Sequence, residues 1–474
     1  MAISRRLLTQ ALLTLPLTAQ VHAGSISGLP SAYEKLRAAL KGAAFLPGDP
    51  DYAAARRGIG STPVDSKMPA IVVQPDGPED IARALELAKK YALEVAVRSG
   101  GHDLIGLSTC DGGLLIDLTR MNQVAVNPQK RLARVQTGAR AAKVTIEADR
   151  HGLVPILGMD PNVGVGGLTL GGGLGWFCGR YGATVDNLVE VEMVTADGKL
   201  MRASAVENPD LFWGLRGGGG NFGVATQFTY QLLPQDKVLA GTIAFQGDVT
   251  KFLRFYRDFI GSGPDALDTA GTIVCGESTT LMITVCWSGD LVEGEKVLRS
   301  LKTFSTPVAD SIAVCSFESF VNRDVLGLSK LENMFWRGGA LNGLNDQAIA
   351  AIASLVDRKP PPGCGIGILH HMHGVLCTGD KNATPFLREE GHVLYNLLTL
   401  WHGAVSPTEQ VAWVKGAYEE MRKVASRQTY VNYLSEQGET AVRDAYGAHY
   451  DKLCKLKRAY DPTNLFHGNR NLRV

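Results

Sequence analysis

At 474 residues the chain is too long for one ordinary domain, and two large units, each able to bury a sizeable core, are the natural expectation. Lys and Arg number 48 against 47 Asp and Glu, so no basic excess exists to neutralise phosphates, which argues against a dedicated nucleic-acid binder. Glycine, at 54 residues, is well above its usual share.

The chain opens with the twin-arginine pattern Ser4-Arg5-Arg6-Leu7-Leu8, a mildly apolar run to about Ala19 and the small-residue site Val21-His22-Ala23. Residues 1–23 therefore read as an export leader of the twin-arginine type, which predicts a periplasmic or secreted protein; an ordinary disordered or amphipathic N-terminus is the alternative. The apolar run is too short and too threonine-rich to cross a membrane, and no later segment holds enough uninterrupted apolar residues to do so.

Within a first unit expected over residues 45–238, residues 68–238 alternate strands and helices. Ala70–Val73 is a short strand, and Pro78–Leu93 has helical spacing, with Ile81, Leu85, Leu87 and Ala88 on one side. The run Leu93–Val97 reads as a strand that ends in Arg98-Ser99-Gly100-Gly101-His102-Asp103. Paired glycines let the backbone approach a ligand closely, and Arg98 is placed to contact a phosphate; a tight surface turn with an incidental histidine is the plain alternative. Strands follow at Leu114–Leu118 and Arg134–Thr137, a helix at Ala141–His151 and a strand at Val189–Val194 leading into the turn Ala196-Asp197-Gly198. Two further glycine segments, Gly164–Gly175 and Arg216–Gly223, lie among these elements. Three such segments cost backbone entropy, and a long ligand with a central diphosphate would give them one purpose. They do not fit a Rossmann GxGxxG or a GxxxxGK[ST] loop.

Residues 239–425 change character. Strand-like runs at Thr272–Cys275 and Leu281–Val285 are separated by the polar turn Gly276-Glu277-Ser278, with helices at Val249–Ile260, Glu293–Leu301, Asp346–Val356 and Pro407–Lys423. An antiparallel sheet backed by helices is the expectation, closing a pocket against the first unit. Within it, His370-His371-Met372-His373 on a strand puts His371 and His373 on one face. No Asp, Glu or Cys stands nearby at ligand spacing, so no metal is expected, and substrate-pocket lining or a structural cluster both remain open. Phe335-Trp336 reads as core, with a substrate platform as the alternative. The eight cysteines form no CxxC and read mostly as small core hydrophobes, with at most one or two bridges. In residues 426–474, Tyr430–Tyr433 is strand-like and Ala441–Lys457 is a helix followed by a turn at Asp461-Pro462.

In this order and spacing the motifs resemble the FAD-linked oxidases of the vanillyl-alcohol-oxidase superfamily, in particular the berberine-bridge-enzyme-like branch. The residues that carry the likeness are Arg98–Asp103, Gly164–Gly175, Arg180-Tyr181-Gly182 with Asp186-Asn187, Leu211-Phe212-Trp213 running into Arg216–Gly223, Tyr430–Tyr433 and Tyr460–Phe466. The resemblance implies an α+β, two-domain FAD-binding fold with an antiparallel-sheet substrate domain, and a tail that returns to the FAD domain. It implies FAD held around Arg98, Ser99, Gly100, Gly101, His102 and Asp103, around Gly164, Gly166, Gly167, Gly171, Gly172 and Gly175, and near Asn187, Gly223, Val224, Asn469 and Asn471. It further implies attachment of the flavin C8-methyl group to His102. Relatives that add a thioether carry its cysteine where this chain has Asp160, so a single link is expected. The activity implied is hydride removal from a small-molecule alcohol, sugar or amine, with O2 as electron acceptor; a dehydrogenase with another acceptor and a non-catalytic flavin-binding protein are the alternatives. Tyr433, second tyrosine of the YxNY pattern, is the candidate base, with a packing role as the other reading. His371 and His373 are candidate substrate contacts and possible sources of a charge that favours its phenolate.

Overall fold

The computed structural model describes residues 28–58, 66–103, 105–235, 237–276, 278–323, 333–402, 407–435 and 438–474. The expected leader lies outside the described residues, as does Glu277 of the expected turn.

Four sheets form. β1 (Ala43–Phe45), β2 (Ile71–Gln74), β3 (Val95–Arg98) and β4 (Leu114–Asp117) make a sheet in the order β1-β2-β4-β3, with β2 and β3 parallel to β4. β2 and β4 are short apolar runs buried on both faces, the pattern that parallel pairing demands, whereas the half-buried β1 joins β2 antiparallel. The helix Pro78–Tyr91 makes the crossover, starting with proline and acidic residues at its positive end and ending at Ala92 in the left-handed region. Its buried side, Ile81, Ala84, Leu85 and Ala88, packs on the sheet.

β5 (Val124–Asn127) and β6 (Leu132–Gln136) join a five-stranded antiparallel sheet, while β7 (Leu153–Val154) stands apart. β8 (Leu188–Thr195), β9 (Leu200–Ser204) and β10 (Gly223–Gln231) complete the five strands, in the order β5-β6-β10-β8-β9, and β11 (Leu233–Pro234) pairs with β7. One large core fills this sheet and the helices on it, including Leu211, Phe212, Trp213, Phe228, Tyr446 and Leu453.

The large sheet contains β12 (Val238–Phe245), β13 (Leu267–Val274), β14 (Thr280–Trp287), β15 (Ala309–Asp310), β16 (Ala313–Cys315), β17 (Asn333–Leu341), β18 (Cys364–His371) and β19 (Val393–Trp401). Its order is β15-β12-β14-β13-β18-β19-β17, with β16 also on β12, and every pairing is antiparallel. Along β17 and β19 the alternation sends Phe335, Tyr395 and Leu397 into a core shared with the helices Val249–Gly261, Asp346–Asp357 and Thr408–Arg422. Trp336, Gly338 and Asn396 fall on the opposite face, with Trp336 paired to Leu398 and Gly338 to Asn396. A fourth core, with Phe177, Cys178, Ala270, Cys286, Met372, Phe386 and Tyr430, joins this face to the glycine-rich half. The architecture is thus the α+β arrangement with an antiparallel second sheet.

Two local expectations are corrected. Tyr430–Tyr433 is not a strand: Val431–Tyr433 is a 3-10 turn, because the Asn432 side chain donates to Gly167 O at 3.2 Å, Leu168 O at 3.3 Å and Tyr430 OH at 2.8 Å and pins the backbone locally. The helix expected over Ala441–Lys457 is two, Glu439–Tyr446 and Tyr450–Tyr460, because Gly447 takes a φ of 51° and ends the first.

Candidate active site

β3 delivers the segment Ser99–Asp103 to the edge of the glycine-rich half. Arg98 ends the strand opposite Asp117, its direct partner on β4. Its guanidinium is buried, ion-paired to Asp117 at 3.0 Å, and donates to Arg56 O at 2.6 Å and to Ala55 O. The expected phosphate contact is therefore corrected: every arm of the guanidinium holds protein, and Arg98 anchors the strand end. Asp103 is likewise committed, its carboxylate accepting from the backbone N–H groups of Ile105 at 3.4 Å, Ser108 at 2.8 Å and Leu107.

The next residues meet the second glycine segment. The Ser99 hydroxyl donates to Thr137 O and accepts from Gly166 N at 3.1 Å. Gly100 lies so close to Gly164 that a Cβ on it would stand 2.5 Å from the Gly164 Cα. This close approach is why both positions are glycine.

His102 follows, with Nε2 at 3.0 Å from Asp160 Oδ2; the two side chains are 24% and 29% exposed. The other Asp160 oxygen accepts from Asn162 N at 2.8 Å. Burial pushes the Asp160 carboxyl up, but the hydrogen bond and charge of His102, with the Asn162 amide, outweigh it and hold the acid below the usual carboxylate range.

The 3-10 turn brings Tyr430 and Tyr433, three residues apart, onto one side, with ring centroids 5.5 Å apart. Tyr430 OH accepts from Gly173 N at 3.1 Å, tying the turn to the glycine segment. Trp336 meets Tyr433 edge-on at 5.2 Å, so it is not plain core as its sequence neighbourhood implied. Burial pushes the Tyr433 hydroxyl up to about 12, while a hydrogen bond from Asn396 draws it down and the Asp160 charge pushes it further up. Asp160 thus acts on both His102 and Tyr433. Asn396 Oδ1 and Trp336 Nε1 are buried without a partner among the described residues.

Comparison with known proteins bears on this geometry. Residues 69–204 match the family described as FAD binding domain, and residues 429–473 the family described as berberine and berberine like. The (R)-6-hydroxynicotine oxidase of Paenarthrobacter nicotinovorans is 30% identical over 421 residues, which are 86% of this chain and 91% of that protein. The chain belongs to the berberine-bridge-enzyme-like FAD-linked oxidoreductases. An uncharacterised FAD-linked oxidoreductase of Bacillus subtilis is 28% identical over 90% of this chain and 95% of its own length. The crystal structure of 6-hydroxy-D-nicotine oxidase from Arthrobacter nicotinovorans superposes with a TM-score of 0.83 at 26% identity, covering 91% of this chain and 98% of that one. Berberine bridge enzyme from Eschscholzia californica superposes at 0.82 with 20% identity, covering 94% and 98%, a likeness of fold.

In this FAD-linked oxidoreductase the remaining expected residues divide. Gly167 is exposed, and a Cβ there would meet open space. Gly171, Gly172 and Gly175 instead admit protein: Cβ atoms on them would overlap Asn432, Phe386 and Leu157 O. The Asn187 amide donates to Tyr181 O at 3.0 Å and Ala183 O at 3.1 Å, closing the turn between them. Gly223 pairs with Thr195 and Val224 with Val194, the latter as a buried core residue. Among the described residues Asn469 and Asn471 each keep a buried Oδ1 without a partner, and between them Arg470 keeps a buried Nε in the same state. Those unpartnered atoms sit where Asn469 donates to Gly220 O at 2.9 Å and Leu472 N to Asn221 Oδ1 at 3.1 Å, so the tail lies on the third glycine segment. Buried polar atoms are rarely left unpaired. Their concentration here, together with the open Gly167 and the converging backbone of Ser99–His102, fits FAD.

His371 and His373 do not join this group as expected. The strand bulges between Leu369 and His371, and the two rings stack at 5.0 Å and 7°, with His373 Nδ1 2.8 Å from His371 O. A Cβ on Gly179 would overlap His373, and Gly179 N donates to the buried Asp268 at 3.3 Å. Burial pushes Asp268 up to about 6 against the opposing effect of His373, and burial, then His373, pushes His371 down to about 4. Neither histidine is among the groups that shift Tyr433. The expected charge beside the phenol is therefore corrected: among the described residues, the charge that acts on it is that of the acid Asp160, which raises it.

Sequence reading missed Asn396, Trp336 and the pair Lys457–Asp461. The last had a signal, since i, i+4 spacing of opposite charges across a helix end precedes Pro462. Lys457 is fully buried and donates to Asp461 at 2.7 Å, Asn221 O at 2.9 Å and Phe466 O at 2.9 Å, so it locks the tail against the glycine segment.

Proposed function

We propose that this FAD-linked oxidoreductase is an exported oxidase that removes a hydride from an alcohol, sugar or amine carbon and passes the electrons to O2 as hydrogen peroxide. The observation that supports this reading best is the His102–Asp160 pair beside the converged glycine segments, with Tyr433 near enough for the Asp160 charge to raise its hydroxyl. FAD, when bound, supplies the two-electron acceptor. Ser99–His102, Gly167, Asn469 and Asn471 are the residues proposed to hold it, with His102 attached to the flavin as the single covalent link. Asp160 stands where relatives with a thioether have cysteine, and a carboxylate supplies no sulfur. Tyr433 takes the proton from the substrate O–H or N–H, or holds the substrate by its own hydroxyl. Asn396 orients that hydroxyl, and its free Oδ1 with Trp336 Nε1 offers an acceptor and a donor to a polar substrate. Both nicotine-oxidase relatives carry "oxidase" in their names, which favours the amine members of the substrate range and O2 as acceptor.

The test is a panel of alcohols, sugars and amines mixed anaerobically with the holoenzyme, followed by air. Bleaching of the flavin and stoichiometric peroxide on reoxidation support the oxidase; bleaching with slow reoxidation in air supports a dehydrogenase with another acceptor. Acid-denatured protein should stay yellow, and His102→Ala should release its flavin. A flavin–cysteine peptide in mass spectra would sink the single-link reading.

A further inference from the structure

Asp160 is held in place from two sides: one oxygen by the Asn162 backbone N–H at 2.8 Å, the other by His102 Nε2 at 3.0 Å. An ionised carboxylate only accepts hydrogen bonds, so the ring nitrogen facing it carries the proton. In a neutral His102 the lone pair then lies on Nδ1. The same carboxylate is also placed to steady the imidazolium that forms when that lone pair makes a bond, as acid partners of catalytic histidines do. We propose that Asp160 is a positioning residue for flavin attachment, fixing the tautomer of His102 so that Nδ1 bonds to the flavin methyl carbon and receiving the Nε2 proton as it does so.

This inference rests on the covalent His102 link proposed above. In the step, one C–H bond of the flavin C8-methyl group breaks and a C–N bond to Nδ1 forms. The methyl hydrogen and the imidazole proton, with two electrons between them, reduce the flavin ring. Dioxygen then takes both hydrogens and both electrons as hydrogen peroxide, so that FAD, His102 and O2 become the histidyl flavin and one peroxide. Asp160 is not consumed; it holds the imidazole proton only in passing. No sulfur participates, which accords with an acid standing at this position.

The full-length protein, produced under flavin limitation and then given FAD in air, supplies the experiment. Acid-precipitable flavin is followed with time for wild type, Asp160→Ala and Asp160→Glu, and gel filtration of a portion reports total bound FAD. The expected result is equal FAD occupancy, attachment at least about tenfold slower in Asp160→Ala, and partial recovery in Asp160→Glu. The wild-type flavin peptide should show the link on Nδ1 by NMR, a readout that needs no variant to fold. Attachment at the wild-type rate in Asp160→Ala, or a link on Nε2, overturns the role of Asp160 alone. Wild-type protein that releases all its flavin into acid overturns the covalent reading as well.

Discussion

Replacing Tyr433 with phenylalanine removes one hydroxyl and leaves the ring contacts with Tyr430 and Trp336 in place. Because Asn432, not Tyr433, pins the turn to the glycine segment, the variant should fold and keep its flavin. Loss of a general base typically costs on the order of 10²–10⁴ in rate. Anaerobic flavin reduction should therefore slow at least about tenfold, a floor under that range. The pH dependence separates the two roles. With burial holding the hydroxyl at about 12, only roughly one Tyr433 in 10⁴ is phenolate at pH 8. If the phenolate reacts, reduction in the wild type rises about tenfold per pH unit through the neutral range, and the rise vanishes in Tyr433→Phe. Asp160→Asn removes a charge that pushes the hydroxyl up, so its profile should shift to lower pH. A flat wild-type profile assigns Tyr433 to substrate holding in its neutral form. Stopped-flow bleaching with excess substrate measures all of this. A Tyr433→Phe enzyme reduced at the wild-type rate would refute the reasoning and leave Tyr433 as packing.

Asp461→Ala leaves Lys457 charged and buried without its partner, which should cost about 3–5 kcal/mol and loosen the tail that carries Asn469 and Asn471; thermal unfolding and FAD retention check it together. Gly171→Ala would drive a methyl group into the Asn432 amide, so flavin should stay bound while its reduction slows as the turn bearing Tyr433 shifts. Asp268 is an acid whose folded pKa is raised to about 6, so its charge costs stability increasingly as pH rises from about 4 through 6. Asp268→Asn should accordingly raise the melting temperature above pH 7 and change it little at pH 4; equal effects at both would show that the raised pKa does not govern stability here.

What the sequence by itself determined is tied to spacing along the chain. The apolar periods placed the helices Pro78–Tyr91, Val249–Gly261 and Asp346–Asp357 within a residue or two, and the glycine segments with His102 and YxNY pointed to an FAD-linked family. Polar groups divided differently, because which partner a side chain finds depends on residues brought close only by folding. Arg98 looks like a phosphate contact until Asp117 is seen opposite it across two parallel strands. Asp160 reads locally as a missing cysteine, and only the meeting of two loops 58 residues apart gives it His102 as partner. His371 and His373 share a face as their spacing requires, yet folding sets that face against Gly179 and Asp268. Trp336 and Asn396 carry no motif; the two-residue alternation of β17 and β19 puts them on one face, and the sheet pairing decides that this face meets Tyr433. Local sequence fixes periods and turns, whereas burial and charge at a site are sums over neighbours distant in the chain.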